Sequence, residues 1–505
     1  LFIDNNGQFI QVEETDTNDG VYTGTVFQVK RTASARNLDY IYWGSPTENF
    51  AVGNLPNSHR YEWNTLFNNT NGTQGNWTAA SGNMVKGKGY IARASNGSAT
   101  PIPVNLTFAG KPHNGTFTKE ILRGSFQGTD YDAEPSNPNN TLTTKWDDNW
   151  NLLSNPYPSA IDARVFISDN SNIQGFVKIW SHGTLPTSSV DPFYQDFSYN
   201  YTSDDYITFN GTGSVPPGYN GYIPSGQGFM VCMNDGDTAS ENVTFSNSMR
   251  YDAATDLPHN NTQFYRNNQA NTNIEDLEKN RIWLDAVSAS AGASYRTLVG
   301  YVENATNDID RLFDAVIQPG NRLMLYSLVN ETNDQEFTIQ GRSLPFNVND
   351  RVPMGIAIPS AGNYSIAIAS VDGLFANNAQ NIYIEDKELN VIHNLLNNPY
   401  SFYAEQGDFK NRFVLRYTTE TLSNEEFNNL NNSVTVFSNN NINVKSSSEK
   451  IHSISVYDVL GKELFHQNSI NSNEFSISNI QRINSALIVK VVLENGRISN
   501  KKIIF

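Results

Sequence analysis

Apolar residues in this chain recur at alternate positions or in short runs, and almost every run is closed by Gly, Asn, Asp, Ser or Pro. Segments of that length and period fit pleated strands, and they lack the three-to-four spacing of an amphipathic helix. Val21 to Val29, Tyr90 to Ala94, Phe176 to Trp180, Leu298 to Val302, Tyr364 to Ala369 and Phe413 to Tyr417 all read this way. Helical signal is confined to short stretches such as Ser423 to Leu430, where Ser423 is placed to cap and Glu426 stands at the third helical position. The expected fold class is all-β: several tandem β-sandwich modules of jelly-roll or immunoglobulin-like type, the last of them small.

The first half contains an internal repeat. Tyr40-Ile41-Tyr42-Trp43-Gly44-Ser45-Pro46 parallels Trp150-Asn151-Leu152-Leu153-Ser154-Asn155-Pro156, and Gly87-Lys88-Gly89-Tyr90-Ile91-Ala92 parallels Gly226-Gln227-Gly228-Phe229-Met230-Val231. The spacing from Tyr90 to Phe108 is 18 and from Phe229 to Phe245 is 16, whereas Pro46 to Gly87 spans 41 and Pro156 to Gly226 spans 70. Two related modules follow, the second with an insertion around Ser181 to Pro217. If so, Pro46 corresponds to Pro156 and Gly89 to Gly228. The Gly-x-Gly elements run into aromatic strands rather than helices, so a tight entry turn fits them better than a phosphate cradle.

A polar, Asn-rich stretch from Asp256 to Lys279 precedes a new strand series from Arg281 to Thr419, and a second Asn-rich stretch, Asn424 to Asn432, precedes a compact terminal run. The expected units are residues 1–130, 131–260, 275–422 and 433–505.

Charge narrows the partners. With 34 Lys and Arg against 51 Asp and Glu, the net charge is −17, and no concentrated basic stretch offsets it. Phosphate backbones and anionic lipid repel such a surface, so nucleic acid is excluded as a partner. No apolar run approaches the roughly 18 residues of a transmembrane helix. The single cysteine, Cys232, lies in an apolar run that reads as a buried strand, and it forms no disulfide within the chain. Leu1-Phe2-Ile3-Asp4 carries neither an initiator methionine nor a signal core, which fits a piece of a longer or processed protein.

The terminal segment carries an ordered set of turns and strands. Ile454-Ser455-Val456-Tyr457-Asp458-Val459-Leu460-Gly461-Lys462-Glu463-Leu464 is a strand entering an Asp-x-x-Gly-Lys hairpin. Leu487 to Val491 is a later strand, Glu494-Asn495-Gly496-Arg497 a second hairpin, and Lys501-Lys502-Ile503-Ile504 a short terminal strand. Ile454, Val456 and Val459 are expected to share the buried face. This segment resembles the type A C-terminal sorting domain of cargo exported by the type IX secretion system of the Bacteroidetes. One departure is Ser485-Ala486-Leu487, where many members have a Gly-x-Tyr pair. Upstream phrases such as Asn155-Pro156-Tyr157-Pro158 and Arg412-Phe413-Val414-Leu415-Arg416-Tyr417 resemble large surface proteins of the same secretion class.

That resemblance implies a secreted or cell-surface, adhesin-like protein without enzymatic activity. Its partners would be the outer-membrane translocon and its cargo-shuttle β-barrel protein, with surface glycans as further partners. The sorting signal would fall on Asp458, Gly461, Lys462, Asn495, Gly496, Lys501 and Lys502. Asp237-Thr238-Ala239 resembles the O-glycosylation sequon of exported Bacteroidetes proteins, with Thr238 as acceptor. The alternative is the accessory, carbohydrate-binding region of a secreted polysaccharide-degrading enzyme.

Catalytic and metal signals are sparse. No Gly-x-Ser-x-Gly elbow is present, and His59, His113, His182, His259, His393, His452 and His466 are scattered singly, without zinc spacing. Paired glycosidase carboxylates leave no spacing to recognise. No cofactor is expected. Calcium is the metal most compatible with acidic loops, at Asp130, Asp132 and Glu134 or at Asp308, Asp310 and Asp314. Trp43, Trp63 and Trp77 in the first module, and Trp146, Trp150 and Trp180 in the second, are candidates for a sugar-stacking platform, against the commoner role of aromatics as core.

Overall fold

The computed structural model describes residues 1–12, 22–68, 74–94, 98–124, 131–132, 142–143, 149–183, 205–236, 238–264, 278–290, 294–317, 322–330, 335–419, 434–438, 441–447, 449–459, 461–482, 485–494 and 498–505. Regular secondary structure among these residues is almost entirely strand, in keeping with the period-two pattern. One short α-helix, Ala163–Asp169, starts where the Asp162 carboxylate accepts the Arg164 N–H. Ser423 to Leu430 lies outside the described residues. No helix among those described is long and apolar enough to cross a membrane. The chain divides into two compact units, Leu1–Tyr417 and Thr418–Phe505.

In the first unit the repeat is visible as strand order. Strand Tyr40–Trp43 pairs with Tyr90–Arg93, which continues to Arg60–Asn68 and Gln74–Ala79. Strand Trp150–Ser154 pairs with Gly228–Cys232, which continues to Val177–Trp180 and Tyr206–Phe209. The two orders are the same. Register agrees as well: Trp43 pairs with Tyr90, and their counterparts Leu153 and Phe229 are also a pair. The isolated bridge Ala51 to Asn83 has its equivalent in Ile161 paired with Ile223. Within the insertion, Ser214–Val215 adds a further edge strand to the second sheet.

The modules interlock rather than follow one another. Gly44 N–H donates to Gly226 O at 2.8 Å, and its counterpart Ser154 N–H donates to Gly87 O at 2.9 Å. Trp43 bridges Gln227 as Leu153 bridges Lys88. Each Gly-x-Gly element thus enters its own strand while clasping the other module. The crossing needs glycine: Gly87 and Gly226 have φ of +75° and +73°, and a Cβ on Gly89 would fall 2.6 Å from Leu153 O. Strand Phe117–Leu122 pairs with Ser240–Phe245, so residues on either side of position 130 share a sheet. One core cluster likewise joins Trp43, Tyr90 and Phe108 to Leu152, Trp180, Met230 and Phe264. Phe264 and Asn261, within the Asn-rich stretch expected to be a boundary, are buried.

Residues Lys279–Arg416 form an eleven-stranded sheet in which Ser294–Val302 and Phe337–Arg342 run parallel. Its core holds Ile282, Val299, Ile356, Ile384, Phe413 and Tyr417. It joins the second module through a smaller cluster of Phe176, Val215, Trp283, Leu298, Ala315 and Ile339, and Trp283 Nε1 donates to Ser214 O at 2.8 Å.

The terminal unit has a three-stranded sheet (Val434–Ser438, Ile442–Ser446, Glu474–Ile477) and a four-stranded one (Glu463–Ser472, Ile451–Asp458, Ala486–Leu493, Ile498–Ile504). Between them lie Val434, Ile442, Val444, Ile454, Val456, Leu487, Val489 and Val491, the inward-facing set of a β-sandwich. Val459, expected on the buried face, is instead 66% exposed, because the turn begins before it.

Candidate functional site: a basic groove with two tyrosines

Several expected site residues have clear positions. In the terminal hairpin, Asp458 Oδ1 accepts the Lys462 N–H at 2.9 Å, Asp458 N–H donates to Lys462 O at 3.0 Å, and Gly461 has φ of +84°. Here the carboxylate caps a tight turn, and the left-handed residue is the glycine. Lys501 and Lys502 pair with Val489 and Ile488, and the pleat turns them to opposite faces: Lys502 and Ile504 are exposed, Ile503 and Phe505 buried. Asn495 and Gly496 lie outside the described residues. Thr238 is exposed, and its hydroxyl donates to Glu241 Oε1 at 3.1 Å. Asp237 lies outside the described residues.

The tryptophan platform requires correction. Trp43 and Trp180 are completely buried and Trp77 is 4% exposed, all in the core shared by the modules. Trp180 stacks on Tyr42 at 5.4 Å, and Trp63 packs edge-on against Trp77 at 5.2 Å. Trp63 Nε1 also donates to Trp150 O at 2.8 Å. Trp43, Trp77 and Trp180 hold the modules together instead of presenting flat faces to solvent, while Trp63 and Trp150 are half-buried at the margin of that core. Trp146 lies outside the described residues.

In the described acidic loop, Asp308 to Asp314, carboxylates are engaged by backbone N–H groups. Asp314 Oδ1 accepts Gly341 N–H at 2.9 Å and its Oδ2 accepts Asp310 N–H at 2.7 Å, while Asp310 accepts the Thr306 N–H. The carboxylates fold the loop, and burial pushes the Asp314 carboxyl up to about 7. Asp130 and Glu134 lie outside the described residues, as does the side chain of Asp132. No cluster of three His, Cys, Asp or Glu suited to a metal occurs among the described residues.

A different arrangement emerges where the second module meets the large sheet. Register aligns Lys178, Thr208 and Val215 across three neighbouring strands, with Tyr206 on the same face. Opposite them, Asp285 and Arg296 are a cross-strand pair. Together with Tyr295 and Arg322 they line a half-open groove of about 280 Å³. Arg296 reaches both Asp285 oxygens, Nε to Oδ1 at 2.6 Å and Nη2 to Oδ2 at 2.7 Å, and this fork raises the Arg296 pKa. The Arg322 guanidinium lies 5.5 Å from the Tyr295 ring centre, and Lys178 Nζ lies 5.0 Å from that of Trp150. Tyr206 is fixed by a 2.6 Å hydroxyl contact with Tyr42 of the first module. Lys178, Arg296, Arg322 and Asp285 are the charged side chains of this described lining. No motif announced this groove, since its residues come from strands far apart in the chain and meet only through sheet packing.

Residues 1–417 match the family model described as a domain of unknown function, DUF8693, and residues 422–505 match a second, DUF8694. No curated protein matches the chain.

Proposed function

The chain belongs to the DUF8693 family, which takes in residues 1–417, and from that premise we propose that it is an adhesin-like, non-enzymatic protein of the cell surface or secreted fraction. Its export would run through the type IX secretion system, with residues 433–505 as sorting signal. The observation that carries this reading is the terminal unit itself. It has its own core of Val444, Ile454, Val456, Val489 and Val491, set apart from residues 1–417. An export apparatus that serves unrelated cargoes needs a recognition element whose fold does not depend on the cargo.

The last strand, Ile498–Ile504, supports the same reading. Among the described residues its ladder partner is Ala486–Leu493 alone. A strand at a sheet edge offers main-chain hydrogen bonds to a receptor, and Lys502 with Ile504 supplies a charged and an apolar contact on the exposed face. The translocon and its shuttle barrel are the proposed partners.

The test is secretion in a host that has the system. Removing residues 433–505 is expected to leave the first unit folded in the periplasm, and appending them to a foreign folded protein is expected to promote its export. Unchanged secretion of the truncated chain would refute the sorting role.

A further inference from the structure

We propose that the terminal unit carries a self-association face: the outer surface of its four-stranded sheet takes a second copy of this chain about a two-fold axis parallel to the strands. The inference rests on the register and charge of that sheet and is independent of the sorting role.

Register places one residue of each strand on a single rung. Glu463 pairs with Tyr457, Tyr457 with Ile488, and Ile488 with Lys502, across the sheet order Glu463–Ser472, Ile451–Asp458, Ala486–Leu493, Ile498–Ile504. Their neighbours Val456, Leu487, Val489 and Ile503 are buried in the sandwich, so the pleat turns this rung outward. Glu463 and Lys502 are exposed, and neither has an ion-pair partner among the described residues. Between them, Ile488 is 41% exposed and Tyr457 is half-buried. Across the sheet the rung therefore runs anion, aromatic, aliphatic, cation. A two-fold axis between Tyr457 and Ile488 lays this order on its own reverse. Lys502 then faces the partner's Glu463, and Ile488 faces the partner's Tyr457, each contact occurring twice.

The adjoining rungs fit the same axis. Toward the hairpin turn, Ile504, 68% exposed, comes over the partner's Val459 and the partner's Leu464, which are exposed as well, so apolar groups otherwise left in water cover one another. In the other direction Lys490 pairs with Ser455 and Ser455 with His466. The axis sets Lys490 over the partner's Ser455 and near its own copy, one repulsive pair against two attractive ones. Area sets the strength: four strands about 4.8 Å apart and seven residues of about 3.3 Å each give a face of roughly 20 by 23 Å, about 900 Å² over both copies. That lies at the low end of specific interfaces, so the association is weak and reversible. Lys502 and Ile504 are also the proposed receptor contacts, so a chain held in the dimer does not present them for export.

The experiment is sedimentation velocity on the full chain over a concentration series reaching about 10⁻⁴ M, above the range expected of so small an interface. A reversible monomer–dimer equilibrium is expected. Ile488→Ser, Lys502→Glu and Glu463→Lys alter exposed side chains, so each should weaken the dimer at least tenfold while the melting temperature stays within a few degrees of the parent. An equimolar mixture of Lys502→Glu and Glu463→Lys is expected to regain the parent's affinity, because both charged contacts then join opposite signs, and the double variant should regain it alone. A chain that stays monomeric throughout, a dimer indifferent to Ile488→Ser, or a mixture no tighter than its components would each overturn the proposal. Export is scored separately in the host, so a protein that is secreted normally yet remains monomeric refutes the self-association face and leaves the sorting reading intact.

Discussion

Gly44 and Ser154 face each other where the two modules cross, so closely that a Cβ on Gly44 would fall 2.1 Å from the Cβ of Ser154. They occupy equivalent places in the repeat, one before Ser45-Pro46 and the other before Asn155-Pro156, and each donates its N–H to the other module's Gly-x-Gly turn. Two copies of one motif can pass each other here only if one of them gives up its side chain. Sequence divergence at this pair is thus a packing requirement, not drift.

Gly44→Ala is accordingly expected to destabilise the first unit by about 1–3 kcal/mol, the usual cost of an overpacked site. Combining it with Ser154→Gly should recover most of that loss, although Ser154 Oγ then no longer donates to Lys88 O, a bond of 2.9 Å. Denaturant unfolding of the two single variants and the double variant closes the cycle. Additive effects would mean that the contact does not limit the crossing.

Much of this was legible in the chain. Alternation revealed the all-β class, and the Pro46/Pro156 and Gly89/Gly228 correspondences survive as equal strand order and equal register. Interlocking was not legible, because a repeat announces two similar modules equally well whether they stand apart or cross. The tryptophans show the consequence. Trp43 and Trp180 read as surface candidates in separate modules and become core once the modules share one. The groove was hidden for a related reason: Lys178, Arg296 and Arg322 carry no local signal, and only packing of one sheet on another brings them together.

Arg250 links the N-terminal segment to the second module. Completely buried, it donates to Ser159 Oγ at 2.8 Å, Asn114 Oδ1 at 3.0 Å, Asn247 Oδ1 at 2.9 Å and Phe9 O at 2.6 Å, with its guanidinium 4.7 Å from the Tyr157 ring centre. Arg250→Met keeps much of the volume but strands several buried acceptors, so a loss of roughly 3 kcal/mol or more is expected. Limited proteolysis should then cut near Phe9 well before it cuts the sheets. Resistance equal to the parent would show that other contacts hold that segment.

In the terminal hairpin, Asp458→Ala removes the acceptor of the Lys462 N–H and should cost about 1 kcal/mol locally. Hydrogen exchange followed by mass spectrometry is expected to quicken across Ile451–Asp458 and Glu463–Ser472, with residues 1–417 unaltered. If export depends on this hairpin, the same variant should be secreted less efficiently. A folded hairpin with normal secretion would remove Asp458 from the signal.

Asp314 makes stability depend on pH in a direction opposite to that of an ordinary paired carboxylate. Burial is the largest influence and raises its pKa from 3.8 to about 7; the Asp310 and Gly341 N–H groups work against it, and the nearby Asp310 carboxylate adds to it. The folded state therefore holds this proton more tightly than the unfolded chain does. Below pH 3.8 both states are protonated and the fold bears no penalty. As pH rises through about 7 the folded carboxyl must ionise in place, and the penalty grows to at most about 4 kcal/mol. Asp314→Asn cannot ionise, but its amide NH₂ must face one of the two backbone donors, a cost that is the same at every pH. Melting temperatures of parent and variant at pH 4, 5.5 and 8 separate the two effects, because the remaining carboxylates cancel in the difference. The variant should be the less stable at pH 4 and should gain on the parent steadily toward pH 8. A difference that stays flat across that range would show that Asp314 titrates as an ordinary exposed carboxylate, with its two backbone hydrogen bonds offsetting its burial.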